Sequence, residues 1–108
     1  MKYTITGATG HLGREVVKEL SKLTDVKNIR LAVRSPQKAA DLAEAGYEVM
    51  LSDYYDVPSM VEAFTGTDVL IYIPSITYNV GKRIEEFENS LEAMKKAGVK
   101  HLVDVIFM

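Results

Sequence analysis

The sequence contains no cysteine, which excludes disulfide bonds and thiolate metal sites. No apolar run approaches the roughly 18 residues that a membrane span requires, and the first seven residues lack the basic lead and apolar core of a signal peptide. We therefore expect a cytoplasmic protein. Positive charge is not in excess either, because 13 Lys and Arg residues stand against 15 Asp and Glu residues. This balance argues against nucleic-acid binding through a basic surface.

The overall composition is that of one ordinary globular domain. Its 108 residues, 47% hydrophobic and 26% charged, suffice for a single core. His11 and His101 have no acidic or cysteine partner at ligand spacing, so we expect no metal site. Glutamates on a helix that also carries lysines predict a solvated face (Glu85, Glu86, Glu88 and Glu92).

Strand and helix patterns alternate along the whole chain. Period-two or continuous apolar patterns predict strands at 2–6, 28–34, 47–52, 69–73 and 99–107. Helical patterns lie between them at 12–23, 35–46 and 56–66, with Ser35 as a predicted N-cap. A loop with Pro74, Ser75 and Gly81 leads to a long fourth helix, which Gly98 closes. Such alternation predicts a parallel sheet with helices on both faces.

Apolar spacing also predicts which side chains face the core. In the second strand we expect alternate residues to be buried, and in the first and fourth helices we expect one stripe each. The predicted core residues are Ile29, Leu31 and Val33, then Leu12, Val16, Val17, Leu20 and Leu23, and finally Ile84, Phe87, Leu91 and Met94.

A glycine-rich turn, Gly7-Ala8-Thr9-Gly10-His11-Leu12-Gly13, joins the first strand to the first helix. A helix N-terminus offers unpaired N–H groups and partial positive charge, and therefore suits a phosphate. In this interpretation Gly7 allows a tight exit from the strand and Gly10 lets the backbone approach a pyrophosphate. Gly13 lets the helix pack closely on the sheet.

These residues resemble the signature of extended and atypical short-chain dehydrogenases. The whole chain is similar to the N-terminal part of the NmrA-like branch, which includes NAD(P)H-dependent quinone oxidoreductases and non-catalytic redox sensors. Further segments support the resemblance: 32–36, Asp53, 59–68, Asn89 and 97–101. It implies a three-layer α/β Rossmann-type parallel sheet with strand order 3-2-1-4-5, here truncated after the fifth strand.

The end of the second strand predicts which dinucleotide binds. NAD-preferring sites place an acidic residue there, whereas this chain has Arg34, whose guanidinium can pair with a 2′-phosphate. Lys38 stands one helical turn further on and adds positive charge. We therefore expect NADP(H) to be preferred over NAD(H).

The resemblance implies the remaining cofactor contacts. Thr9, His11 and Leu12 would contact the cofactor together with the glycines of the turn. Asp53 would accept a hydrogen bond from the adenine amino group, although an aspartate in a turn is also common. Pro74 and Ser75, after the fourth strand, would line the cofactor near its nicotinamide ribose.

Several features of the family are absent from the sequence. It has no Tyr-x-x-x-Lys pair beyond the fifth strand, the position near Ile106 lacks the family's serine or threonine, and Asp104 stands where an apolar or aromatic residue is usual. Without the substrate-binding segment, apolar side chains of 69–73 and 102–107 are expected to be exposed and to favour a homodimer. Three hypotheses remain: the cofactor half of a quinone-reducing enzyme, a non-catalytic NADP(H) sensor, or an inactive fragment.

Overall fold

A computed structural model describes residues 1–75 and 79–105 of the chain. Its strands are β1 (Tyr3–Thr6), β2 (Ile29–Val33), β3 (Glu48–Leu51), β4 (Val69–Tyr72) and β5 (His101–Asp104). Its α-helices are α1 (His11–Ser21), α2 (Ala40–Glu44), α3 (Val57–Phe64) and α4 (Val80–Ala97). Short 3-10 helices cover Val26–Asn28 and Pro36–Ala39. None of the described helices is both long enough and apolar enough to cross a bilayer.

All five strands belong to one parallel sheet with the order β3-β2-β1-β4-β5, which confirms the expected fold class. In the register at its centre, Ile5 lies between Leu31 of β2 and Ile71 of β4. Because the strands are parallel, the segments that follow them all lie along one edge of the sheet. We call this the carboxyl edge.

Two apolar clusters cover the two faces of the sheet and form a three-layer structure. One contains Val17 of α1 together with Ile5, Leu31 and Ile71. The other packs α3 and α4 on the opposite face, with Met60, Phe64, Leu70, Ala93 and Met94 buried. Alternate residues of a strand point to opposite faces, so Leu70 and Ile71 join different clusters. The prediction that Ile29, Leu31 and Val33 are core residues is confirmed.

The second helix differs from its prediction. Residues 36–39 form a 3-10 helix, and α2 extends only from Ala40 to Glu44. Ser35 is the N-cap residue of this segment as predicted, but its side chain makes no capping hydrogen bond. The third helix begins as expected, because the Asp56 carboxylate accepts a hydrogen bond from the Ser59 N–H at 3.3 Å.

Leu12, Leu23 and Ile84 were predicted to be buried, and these predictions were wrong because the residues lie near helix ends. Leu12 is 42% exposed in the first turn of α1, and Leu23 is 82% exposed because α1 has already ended at Ser21. Ile84, 55% exposed, lies in the second turn of α4. At these ends the sheet and neighbouring helices no longer cover the side chain, although the helical spacing continues.

The expected exposure of β4 was also wrong. Residues 70–73 are all at least 92% buried, since α1 packs over one face of this strand and α3 and α4 over the other. Exposure is confined to the outer strand β5, where Val103 is 50% exposed. The parts of that prediction that concern Ile106 and Phe107 lie outside the described residues.

Candidate functional site

The glycine-rich turn leaves β1 in a backbone conformation that favours glycine. Gly7 has φ +62°, in the left-handed region, and its carbonyl accepts a hydrogen bond from the Gly10 N–H at 3.2 Å. A Cβ at Gly13 would lie 2.8 Å from the Ala8 Cα and closer still to the Gly7 carbonyl oxygen. The first turn of α1 therefore packs directly on the strand exit, and only glycine at position 13 allows this contact.

The N-terminus of α1 is open. Gly10 is its N-cap and provides no capping side chain, while the Gly10 carbonyl accepts the first helical hydrogen bond from Arg14 at 2.9 Å. Within the described chain, nothing accepts a hydrogen bond from the N–H groups of His11, Leu12 or Gly13. His11 and Leu12 are exposed at the carboxyl edge, whereas Gly13 is buried.

Arg14 connects this turn to the segment that follows β2. Its guanidinium donates to the carbonyls of Thr9 at 3.4 Å and Lys38 at 3.0 Å, and it forms an ion pair with Asp41 at 2.9 Å. The hydrogen bond from Arg14 lowers the pKa of Asp41. This contact was not predicted, because nothing in the local sequence pattern indicates that α1 and α2 lie within reach of one side chain.

Arg34 and Lys38 are exposed at the carboxyl end of β2. Among residues 1–75 and 79–105, neither side chain forms an ion pair or a hydrogen bond. Arg30 of the same strand contrasts with them, because it pairs with Glu48 at 3.0 Å. The charge at positions 34 and 38 is therefore available to an anion from outside the chain.

Asp53 follows β3 in a tight turn. Its carboxylate accepts a hydrogen bond from the Tyr55 N–H at 2.9 Å, and its own N–H donates to the Ser59 hydroxyl at 3.0 Å. This is the geometry of a turn-forming aspartate. A contact with adenine stays a prediction.

The end of β4 is fixed to two other segments of the carboxyl edge. The N–H of Ile73 donates to the Thr6 hydroxyl at 2.9 Å, and its carbonyl accepts from the Tyr54 hydroxyl at 2.8 Å. Burial raises the pKa of Tyr54 to about 12, although a hydrogen bond with Thr6 and the charge of Arg34 act against this rise. The half-buried Pro74 and Ser75 follow directly. The structure thus brings the predicted residues after β1, β2, β3 and β4 to one edge.

Glu86 is the site residue that sequence reasoning placed wrongly. It was expected on a solvated face, but only 5% of it is exposed. Its two carboxylate oxygens accept hydrogen bonds from the Ser75 hydroxyl at 2.6 Å and the Tyr55 hydroxyl at 2.7 Å. The hydrogen bond to Glu86 is the main cause that raises the pKa of Tyr55 to about 12.

Aromatic side chains pack beside this hydrogen-bonded group. The Tyr72 ring lies 5.7 Å from the Tyr54 ring and 5.2 Å from the Phe87 ring, the latter edge to face. A shallow groove of about 290 Å³ adjoins them and is lined by Tyr72, Pro74, Val80, Arg83, Ile84, Phe87 and Asp104.

A model of the NAD(P)H-binding family matches residues 7–108. The chain belongs to this family. It is 40% identical over 98 residues to quinone oxidoreductase 2 of Escherichia coli K12, covering 91% of this chain and 34% of that protein. It is 33% identical over 115 residues to the NmrA-like family domain-containing oxidoreductase malD of Malbranchea aurantiaca, covering 93% and 32%.

A solved structure has the same fold. The triphenylmethane reductase of Citrobacter sp., crystallised in complex with NADP(H), superposes with a TM-score of 0.93 at 35% identity, covering 96% of this chain and 36% of that one. This chain thus spans about a third of the length of the relatives it matches. It is an NAD(P)H-binding domain of the type found in NmrA-like oxidoreductases, which confirms the resemblance stated above.

Proposed function

We propose that this chain binds NADP(H) in preference to NAD(H) along its carboxyl edge. The observation that carries the proposal is the glycine-rich turn, where Gly13 brings the open N-terminus of α1 against the exit of β1. Unpaired N–H groups and the positive end of a helix dipole together favour a pyrophosphate at this position.

The environment of Gly10 supports the same placement. A Cβ at this position would meet only the Gly7 carbonyl oxygen, at an ordinary 3.5 Å, and the φ of −74° is open to any residue. The fold alone therefore does not require glycine at position 10. A ligand whose phosphates approach the backbone closely does require it.

Arg34 and Lys38 support a preference for the 2′-phosphate. Both positive charges stand at the carboxyl end of β2 with no ion pair to another described residue. A guanidinium can form two parallel hydrogen bonds with a phosphate, whereas an acidic residue at this point would repel it. Arg14 holds the backbone of Lys38 against the glycine turn, which keeps the two binding segments adjacent.

The remaining predicted residues divide between the two ends of the cofactor. We propose that Asp53 lies beside the adenine and that Thr9, His11 and Leu12 line the pyrophosphate. Pro74 and Ser75 would then face the nicotinamide ribose. The order of the strands supports this division, since β3 and β4 lie on opposite sides of β1.

We propose further that the chain supplies the cofactor half of an oxidoreductase. Bound NADPH supplies a hydride from its dihydronicotinamide ring, and the acceptor in the whole protein would be a quinone or a similar aromatic compound. The similarity to a quinone oxidoreductase and to a dye reductase supports this acceptor class. The alternative is a non-catalytic NADP(H) sensor, which binds the cofactor without oxidising it in the presence of a quinone.

Calorimetric titration of the chain with NADPH and NADH tests the proposal. We expect NADPH to bind more tightly, and Arg34→Asp to weaken NADPH binding at least tenfold, because it replaces an attraction to the 2′-phosphate with a repulsion. Lys100→Asp is the matched control, since exposed Lys100 precedes β5 at the opposite edge of the sheet. Equal binding of both nucleotides, or no effect of Arg34→Asp, would contradict the preference. No binding of either nucleotide would favour an inactive fragment.

We also propose a second copy of this chain as the partner of β5. This strand is at the edge of the sheet, where its outer N–H and C=O groups are open to pairing. The half-exposed side chains of Val103 and Ile84 add apolar surface beside it.

A further inference from the structure

Glu86 is a buried carboxylate on α4 that the proposed binding site does not explain. It is 5% exposed, and no lysine or arginine of the described chain forms an ion pair with it. Removing a carboxylate from water is costly unless hydrogen bonds compensate. Here the compensation comes from two hydroxyl groups, Ser75 at 2.6 Å and Tyr55 at 2.7 Å, each on a different carboxylate oxygen.

The direction of these hydrogen bonds is fixed by chemistry. A carboxylate can only accept, so both hydroxyl groups must donate their hydrogen to Glu86. A hydroxyl has one hydrogen and two lone pairs. Towards any further group, the oxygens of Ser75 and Tyr55 can therefore act only as hydrogen-bond acceptors.

Helix α4 holds both of these segments at the carboxyl edge. Glu86 contacts Ser75 after β4 and Tyr55 after β3, and one turn later Asn89 donates a hydrogen bond to the Tyr54 carbonyl at 2.9 Å. Ser75 is half-buried and follows directly the strand end that is fixed to Thr6 and Tyr54. Its hydroxyl is thus held in one place and in one orientation.

We propose that Glu86 is a positioning residue that presents the Ser75 hydroxyl oxygen as an acceptor to the nicotinamide half of the cofactor. The matching donors on that half are the ribose hydroxyl groups and the carboxamide N–H. This inference rests on the proposed binding of NADP(H). It assigns to the buried carboxylate a role in orientation, and Glu86 itself does not touch the cofactor.

Comparing the binding of two ligands distinguishes this positioning role of Glu86 from a purely structural role. NADPH carries the nicotinamide half, whereas adenosine 2′,5′-bisphosphate carries only the adenine half and the 2′-phosphate. In calorimetry we expect Glu86→Gln to weaken NADPH binding about fivefold, which is typical for the loss of one oriented hydrogen bond. The affinity for adenosine 2′,5′-bisphosphate should not change. Glu88→Gln removes the same charge from an exposed position on α4 and is the matched control.

A double-mutant cycle tests whether Glu86 acts through Ser75. Ser75→Ala should also weaken NADPH binding about fivefold, and adding Glu86→Gln to it should cause no further loss. Additive losses, or parallel losses for both ligands, would show that Glu86 only maintains the fold and would overturn the proposal. If Glu86→Gln does not fold, the Ser75→Ala variant alone tests the proposal. An NADPH affinity of Ser75→Ala equal to that of the wild type would then overturn it.

The wild-type titrations keep the two proposals distinguishable. Wild-type protein that binds NADPH, with a Glu86→Gln variant of equal affinity, would overturn the role of Glu86 and leave the proposed function intact. Wild-type protein that binds neither ligand would overturn the proposed function and this inference together.

Discussion

Two glycines of the same turn are required for different reasons. A Cβ at Gly13 collides with the backbone of Gly7 and Ala8, whereas a Cβ at Gly10 has only ordinary contacts. The first glycine is thus required by packing between α1 and β1. The second is required only if a ligand approaches the backbone.

Substituting each of these glycines by alanine should separate stability from binding. We expect Gly13→Ala to lower the free energy of unfolding by about 3 kcal/mol or to prevent folding, because backbone must move to relieve the overlap. Gly10→Ala should change stability by less than about 1 kcal/mol but abolish NADPH binding. Urea denaturation and calorimetry measure the two effects. A Gly10→Ala variant that still binds NADPH normally would contradict the placement of the pyrophosphate.

The pKa of Tyr55 reports on its hydrogen bond to Glu86. That bond is the main cause that raises the pKa to about 12, followed by burial and by the charges of Glu86, Glu85 and Asp53. Glu86→Gln should therefore lower the pKa of Tyr55 towards 10. Absorbance of the phenolate as a function of pH measures this change, and Tyr55→Phe identifies the transition.

The same shift has a consequence for stability. Because folding raises the pKa of Tyr55, its contribution to stability is complete below pH 10 and is lost as the pH rises towards 12. Denaturation at alkaline pH should show this loss in the wild type and less of it in Tyr55→Phe. A Tyr55 transition that is identical in wild type and Glu86→Gln would contradict the hydrogen bond.

The N-terminus of α3 shows how a single side chain stabilises an element. The Asp56 carboxylate caps this helix by accepting from the Ser59 N–H. Asp56→Ala should lower the free energy of unfolding by about 1 kcal/mol, since that N–H loses its partner. Asp56→Ser is the control, because a serine hydroxyl can also cap and should restore most of the loss. Equal stability of all three proteins in urea would exclude a role for this cap.

Helix α4 shows where the prediction of an element succeeds and where it fails. Its existence and its end near Gly98 follow from local apolar spacing and from the glycine itself. Its buried face does not follow from apolar spacing, because the buried positions include Glu86 and Ser90 as well as Ala93 and Met94. A periodicity of apolar residues does not reveal polar residues that are buried through hydrogen bonds to distant segments.

At the scale of the whole molecule, the two edges of the sheet predict different behaviour. Both outer strands carry a half-exposed apolar residue, Leu51 on β3 and Val103 on β5. Only β5 adjoins the apolar groove that contains Ile84. Self-association should therefore use β5.

Sedimentation velocity over a wide range of concentration tests this prediction. We expect the average mass of the wild type to rise with concentration and Val103→Lys to remain monomeric, because an edge lysine opposes strand pairing. Leu51→Lys on the opposite edge should associate like the wild type. A wild-type protein that stays monomeric at every concentration would refute the proposed partner.

Local sequence patterns suffice to predict the succession of strands and helices along the chain, the layers and the glycine-rich turn. These depend on short-range patterns: alternation, helical spacing and glycines at the junction of β1 and α1. The similarity to a known family then indicated the cofactor class, and the family match to residues 7–108 confirmed it.

Which polar side chains contact each other depends on how the elements pack in three dimensions. Arg14 reaches Asp41 across 27 residues, and Tyr55 reaches Glu86 across 31. Such contacts depend on how helices lie on the sheet, and no local pattern encodes that arrangement. Exposure of β4 was expected, but helices that are distant in sequence cover both of its faces. The continuous apolar run at 69–73 is typical of a strand covered in this way.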